Sequence, residues 1–285
     1  MIIETKSKLF ILGNGFDIAH DLPTRYSHFR RYLEQIQGID TNEFDNRNRA
    51  SIITYFDRRC DGEDWRDIEY ALGLFPLYLE GYNPDIDDRK EKEKYVFYQS
   101  SLLLEVIYAF RRWVNSISID DAKPKHSFMQ IIKDKDFAFL TFNYTPILER
   151  IYDIQESSIC HIHGKQGEQV VMGHNRSDDD SIDFWLLADV APYLRQEFYR
   201  LFKDPIVNIT HNQNFFDSLK DLTDIYSFGF SFSDPDREYI ELICRKTNER
   251  TVWHLSSFGS IEVQDEYEQT IKNCGFRGTF TRFTI

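Results

Sequence analysis

Short apolar runs closed by glycine or asparagine recur along this chain, separated by stretches whose apolar residues return every three or four positions. Lys8-Leu-Phe-Ile-Leu12 is the first such run, and Gly13-Asn14-Gly15 stops it. A continuous apolar run of this length predicts a strand covered on both faces, as in a parallel sheet. A helical pattern follows over residues 26–37, after Pro23-Thr24. Strand, glycine turn and helix form the opening unit of a doubly wound fold.

From about Gly38 to Lys123 the strand pattern is absent. Residues 42–59, 64–73 and 88–116 read as helices, and in the last of these Tyr95, Tyr98, Leu102, Val106 and Phe110 make one apolar stripe. Gly81-Tyr-Asn-Pro84 divides the block. Its plain role is a helical insertion or cap that covers a sheet.

The alternating pattern then resumes. Strands are expected over Phe137–Thr141 and residues 159–162, 169–172, 224–228, 251–255 and 278–283. Helices are expected from Thr145-Pro146, with proline in the first turn, and over residues 185–202, 212–222, 234–246 and 261–273. Strands alternating with helices imply a mostly parallel sheet with right-handed crossovers. The expected fold is α/β and Rossmann-like: residues 1–37 and 124–285 form a nucleotide-binding domain, and residues 38–123 a helical insertion.

Composition narrows the function. At 41% hydrophobic and 28% charged, the 285 residues can bury a full core. The net charge of −13 disfavours binding to nucleic acid or to an anionic membrane, both of which need a basic surface. Arg30–Arg31, Arg58–Arg59 and Arg111–Arg112 are local exceptions whose ordinary reading is a solvated helix face. The four cysteines form no CxxC pair, so a zinc ribbon or a disulfide framework has no support. With no secretory or membrane-length apolar segment, the expected location is the reducing cytoplasm.

In an open parallel sheet the ligand site lies beyond the carboxyl ends of the strands. The loops there are polar and marked by glycine: Gly13-Asn14-Gly15-Phe16-Asp17, Thr141-Phe142-Asn143-Tyr144-Thr145, His161-Ile162-His163-Gly164 and Gly229-Phe230-Ser231. Gly13 and Gly15 suit either a plain turn or close approach of backbone amides to a phosphate. Ile18 stands where the third glycine of the dinucleotide pattern belongs. Asp17 suits a helix cap, or a hydrogen bond to a ribose or a water. Asn143 suits a place beside a helix cap or a ribose-orienting role, on even terms. His161 and His163 alternate across a strand end, so one of them faces a given pocket. His163 is the stronger candidate base, because Gly164 lets a ligand approach the backbone. Gly229-x-Ser231 fails the nucleophile-elbow pattern and fits a phosphate-touching loop. Asp234 and Asp236 read as caps of the next helix, Glu63, Asp64, Asp67 and Glu69 as surface acids able to reach a site, and residues 178–180 as a solvated loop.

Taken in order, these segments resemble the bacterial AbiH family of phage abortive-infection proteins. The resemblance rests on Leu12-Gly-Asn-Gly-Phe-Asp-Ile-Ala-His20, Leu22-Pro-Thr24, Asp64-Trp65 with Glu69, Thr141-Phe-Asn-Tyr-Thr145, His161-Ile-His-Gly164, Met172-Gly-His-Asn175 and Gly229-Phe-Ser-Phe-Ser-Asp-Pro-Asp236. It runs from about residue 8 to 255. That family looks like a divergent relative of the sirtuin-type NAD-binding fold, which carries Gly-Ala-Gly-x-Ser, Thr-Gln-Asn-x-Asp, His-Gly and Gly-Thr-Ser at the matching places. The resemblance implies that Asn143 positions a ribose or a water and that His163 acts as a base. Asp17 joins them as a catalytic candidate, while Gly13, Asn14, Gly15, Phe16, Thr141, Gly164, Gly229 and Ser231 line the cofactor pocket. Asn14, Asp17, Phe142 and Thr145 depart from the sirtuin pattern, and the zinc-binding cysteines of deacetylases are missing. The implied activity is therefore NAD hydrolysis by an anti-phage effector, with NAD as substrate and no metal. Two other classes stay open: a nucleotide-sensing module of a defence system, and a metal-dependent nuclease or phosphodiesterase using Asp17, Glu69 and His163. A homo-oligomer or a partner defence protein fits any of the three.

Overall fold

The computed structural model describes residues 5–36, 43–60, 62, 64–65, 67–74, 89–134, 136–175 and 201–285. The chain divides into two compact units, the first comprising Met1–Thr24, Ile117–Val170 and Asp204–Ile285, the second Arg25–Ser116 and Val171–Lys203.

The first unit carries six strands: β1 (Lys6–Leu12), β2 (Phe137–Thr141), β3 (Ile159–His161), β4 (Leu219–Phe228), β5 (Val252–Ser256) and β6 (Thr279–Phe283). They form one sheet in the order β3-β2-β1-β4-β5-β6, and every neighbouring pair is parallel. This is the strand order of a Rossmann-like doubly wound sheet, with its topological switch between β1 and β4. The first helices in chain order are α1 (Asn14–Ala19), α2 (Tyr26–Ile36), α3 (Glu43–Arg59), α4 (Ile68–Leu74) and α5 (Arg89–Ser116). After them come α6 (His126–Ile131), α7 (Ile147–Tyr152), α8 (Pro205–His211), α9 (Gln213–Ser218), α10 (Arg237–Cys244) and α11 (Ile261–Asn273).

Both faces of the sheet are buried, as the unbroken apolar run in β1 requires. Leu9 and Ile11 point into one core with Ala138, Leu140 and Ile225, covered by Tyr239, Ile240 and Ile243 of α10 and Ile271 of α11. Phe10 and Leu12 point into the other, with Phe137, Phe139, Phe16, Phe128, Ile147 and Leu148. The Phe10 ring lies 5.0 Å from the rings of both Phe128 and Tyr226, within the range of favourable aromatic pairing. Two-sided burial fixes the register, because a one-residue slip would exchange the two cores.

Several elements differ from their sequence patterns, among them the helices α6 and α8, which no pattern announced. Among the described residues, 169–172 pair with no strand: after β3 the chain turns at Gly164 and Gly167, both at positive φ, and Val170 and Met172 are buried. The helix expected over residues 212–222 stops at Ser218, and β4 begins at Leu219. The pairing of β1 with β4 shifts between Lys6 and Lys8, and Asp221 sits at φ 50°, so buried Leu219, Leu222 and Ile225 fall three apart and imitate a helical stripe. Directly after β1, six residues wind into α1, too short to leave a periodic signal. The helix expected over residues 185–202 lies outside the described residues except for 201 and 202, and the loop at 178–180 lies wholly outside them.

The second unit contains α2 to α5. Phe29, Phe56, Trp65, Phe110 and Trp113 form its aromatic core, with Phe29 edge-on to Phe110 at 5.4 Å. Arg30 grips both carboxylate oxygens of Asp57, which also accepts from Trp65 Nε1. Lys203 is 3% exposed and is paired with Glu69, whose Oε1 also accepts from the Tyr26 hydroxyl. Among the described residues no helix is long and apolar enough to cross a membrane.

Candidate functional site

A parallel sheet brings every strand's carboxyl end to one edge, so the loops after β1, β2, β3 and β4 gather there. At the switch point the loops after β1 and β4 touch backbone to backbone. Gly13 N–H donates to Phe228 O at 3.1 Å and Gly15 N–H to Gly229 O at 3.0 Å. A Cβ on Gly15 would stand 2.4 Å from Gly229 Cα, and Gly229 itself has φ +63°. The Gly13 and Gly15 amides are therefore bound within the chain, and the three glycines serve the contact between the loops. Asn14 ties the same loop down by donating from Nδ2 to Thr24 O at 2.9 Å. Phe16 is fully buried, 4.9 Å from the Phe128 ring, and belongs to the core.

Asp17 lies within α1 and caps no helix. It is 1% exposed, with Oδ1 accepting from Asn143 Nδ2 at 2.9 Å and Oδ2 from Thr145 Oγ1 at 2.8 Å. Burial pushes its carboxyl from 3.8 up to about 7, against the opposing pull of the Thr145 and Asn143 hydrogen bonds and of His161. Asn143 also donates Nδ2 to Gly13 O at 3.0 Å, and its backbone N–H donates to Thr141 Oγ1 at 3.1 Å. Both amide hydrogens of Asn143 are thus committed, and its Oδ1 is the atom with acceptor capacity for a ligand. Gly13, Asp17, Thr141 and Asn143, all drawn from the sequence, form one hydrogen-bonded group, which Thr145 completes.

Two histidines, at the end of β3 and just after it, have different partners, and His161 is the one bonded to this group. His161 places Nδ1 3.0 Å from Asn143 O and Nε2 3.1 Å from Glu149 Oε1. Lys165 joins Glu149 and Glu156 beside it. Burial raises the Glu149 carboxyl, but the His161 and Lys165 contacts outweigh this and hold it below its usual value. His163 is 4% exposed, and its Nε2 lies 3.3 Å from Asp236 Oδ1. Its ring packs 5.5 Å from Phe142 and 6.1 Å from Tyr239. The chain turns at Gly164, where φ is +79° and a Cβ would meet Gln169 O at 2.0 Å. Ser231 is exposed, and its Oγ lies 3.3 Å from Ser233 Oγ.

Asp236 corrects its reading as a helix cap. It occupies the N-cap position of α10, but its side chain makes no capping bond and turns to His163 instead. His161 and Thr145, named in the sequence but given no role there, join the network, and Glu149 is a member that the sequence did not single out. Their signal was the polar character of the segments after β2 and β3. Among the described residues no group of three or more His, Cys, Asp or Glu is placed to hold a metal ion. Glu69 is engaged by Tyr26 and Lys203, and Glu63 lies outside the described residues.

A doubly wound parallel sheet with a buried Asp–Asn–Thr group at the carboxyl ends of β1 and β2 defines a Rossmann-like α/β protein. The family model for bacteriophage abortive infection AbiH matches residues 9–257, and the chain belongs to that family. A comparison with curated proteins finds no match.

Proposed function

We propose that this protein is an anti-phage effector that binds NAD at the switch point of its sheet and hydrolyses it to nicotinamide and ADP-ribose. The observation that carries the reading is Asn143, clamped by Gly13 O and Asp17 Oδ1 at the carboxyl edge of β1 and β2. In doubly wound sheets dinucleotides bind outside the carboxyl ends of the strands at the switch point, which here lies between β1 and β4, on the other side of β1 from β2. The resemblance to sirtuin-type sites would give Asn143 the positioning of the ribose and His163 the base chemistry.

The reaction breaks the bond between C1′ of the ribose and the nicotinamide nitrogen. Nicotinamide leaves as a neutral molecule with the bonding electrons, and water adds to C1′ and gives up one proton. Asn143 Oδ1 accepts from a ribose hydroxyl or from that water, and the His163 imidazole takes the proton. Because Gly13 and Gly15 have committed their amides, the pyrophosphate falls to the loop after β4, where Ser231 is exposed. Loss of cellular NAD would then halt phage replication together with the host.

The test is incubation of purified protein with NAD, with and without a divalent metal, and chromatography of the products beside Asn143→Ala and His163→Ala. Nicotinamide and ADP-ribose from the wild type, and from neither variant, are expected. Intact NAD with binding retained would move the reading to a nucleotide sensor. Absence of binding would reduce the sirtuin similarity to fold.

A further inference from the structure

We infer that Asp236 is a positioning residue: it holds His163 in the tautomer with the proton on Nε2, so that Nδ1 is the basic nitrogen. This rests on the reading of His163 as the base in NAD hydrolysis. A carboxylate only accepts, so the contact between His163 Nε2 and Asp236 Oδ1 at 3.3 Å requires the proton on Nε2. In a neutral imidazole the lone pair then sits on Nδ1. The ring also packs against Phe142 at 5.5 Å and Tyr239 at 6.1 Å, and the carboxylate contacts it at Nε2.

The helix beside it shows what this contact displaces. Asp236 stands at the N-cap of α10, where an aspartate ordinarily accepts from the first-turn amides and adds stability. Here it makes no such bond, although its own N–H still donates to Ser233 O at 3.1 Å and closes the turn. The side chain reaches across to the β3 loop instead. At 3.3 Å the contact is longer than the ~2.7–2.9 Å of a charge-assisted bond at its best, so it orients the ring more than it stabilises an imidazolium. An asparagine, which keeps an acceptor oxygen, should therefore preserve most of the effect.

The experiment combines a spectroscopic and a kinetic readout on the full chain labelled with 15N-histidine. Wild type, Asp236→Ala and Asp236→Asn are compared, with His163→Gln to assign the signals. The wild-type His163 spectrum should show the proton on Nε2, Asp236→Asn should keep it there, and Asp236→Ala should give a mixture of tautomers. With NAD as substrate, Asp236→Ala should lower kcat on the order of a hundredfold with KM nearly unchanged, and Asp236→Asn should recover most of the loss. A proton on Nδ1 in the wild type, or a tautomer indifferent to Asp236→Ala, overturns the assignment whether or not NAD is cleaved. An Asp236-dependent Nε2 proton in a protein that leaves NAD intact upholds the positioning and overturns the hydrolase reading.

Discussion

Asn143 Nδ2 and Asp17 Oδ1 lie 2.9 Å apart, both side chains buried at the point where the loops after β1 and β2 meet. The pair joins residues 126 positions apart in the chain. An amide whose two hydrogens are held by Gly13 O and Asp17 has one orientation, so its Oδ1 is fixed in advance of any ligand. Such preorganisation lowers the cost of positioning a reactant.

The Asp17 carboxyl makes stability depend on pH with a definite sign. Its pKa is raised to about 7 in the fold from 3.8, so between those values the folded chain holds a proton that the unfolded chain has lost. Stability is therefore highest below about pH 4 for this group and falls as pH rises toward 7, by an amount on the order of a few kcal/mol. Asp17→Asn imitates the protonated acid, accepting from Asn143 and donating to Thr145. Urea unfolding from pH 5 to 8 should show the wild type losing stability with rising pH and the variant losing distinctly less. Parallel curves would remove Asp17 as the titrating group.

Gly229→Ala should be among the most damaging single-methyl substitutions in the chain. Its Cβ would stand 2.3 Å from Gly15 Cα, with backbone on the other side that cannot swing away. A cost of about 3 kcal/mol or more follows from overpacking plus the positive φ. Gly167→Ala is the control, since Gly167 has φ +85° but open space around it. It should cost only the ~1–2 kcal/mol of the left-handed backbone. Thermal unfolding of the two variants separates crowding from strain.

Much of the sheet is legible in the chain itself. The run Lys8–Leu12 between polar neighbours forced a strand buried on both faces, and the glycines after it forced a tight loop. What the glycines do was not legible: Gly13 and Gly15 suit a phosphate and suit another backbone equally well, and only the place of β4 beside β1 decides for Gly229. The partner of Asn143 was hidden for the same reason, because Asp17 is distant in sequence and meets it through parallel pairing. Asp236 was misread because a cap needs only local chain, and the alternative, His163, lies 73 residues away. The extra residues near Asp221 defeated periodicity by converting the two-residue spacing of a strand into three.

In the second unit, the pair of buried Lys203 and half-buried Glu69 should be costly to break and cheap to replace. Lys203→Met alone removes the ammonium from the Glu69 carboxylate, and Glu69→Gln alone removes that carboxylate's charge from beside the ammonium. Each should cost about 3–5 kcal/mol, while the double substitution should recover a substantial part of the sum. A thermodynamic cycle by denaturant unfolding gives the coupling directly. Additive losses would show that the two charges act independently.

His20 sets an opposite pH dependence from Asp17, which makes the two separable. Its Nδ1 lies 2.7 Å from Phe16 O, a group that only accepts, so Nδ1 carries the proton and Nε2 accepts from the Tyr152 hydroxyl. Tyr152 in turn accepts from Lys125 N–H at 2.8 Å, so the ring is satisfied as a neutral imidazole. Burial depresses its pKa below 6.5. The unfolded chain therefore binds a proton at higher pH than the folded one, and the stability of this arrangement is complete above 6.5 and lost as pH falls. Tyr152→Phe removes the hydroxyl and leaves both His20 Nε2 and Lys125 N–H to find other partners, at a cost of about 1–3 kcal/mol. That variant should unfold at lower denaturant throughout, and most clearly above pH 7, where the neutral ring needs the donor. An effect confined to acid would mean that the imidazole is charged in the fold, with Nε2 donating to the Tyr152 hydroxyl rather than accepting from it.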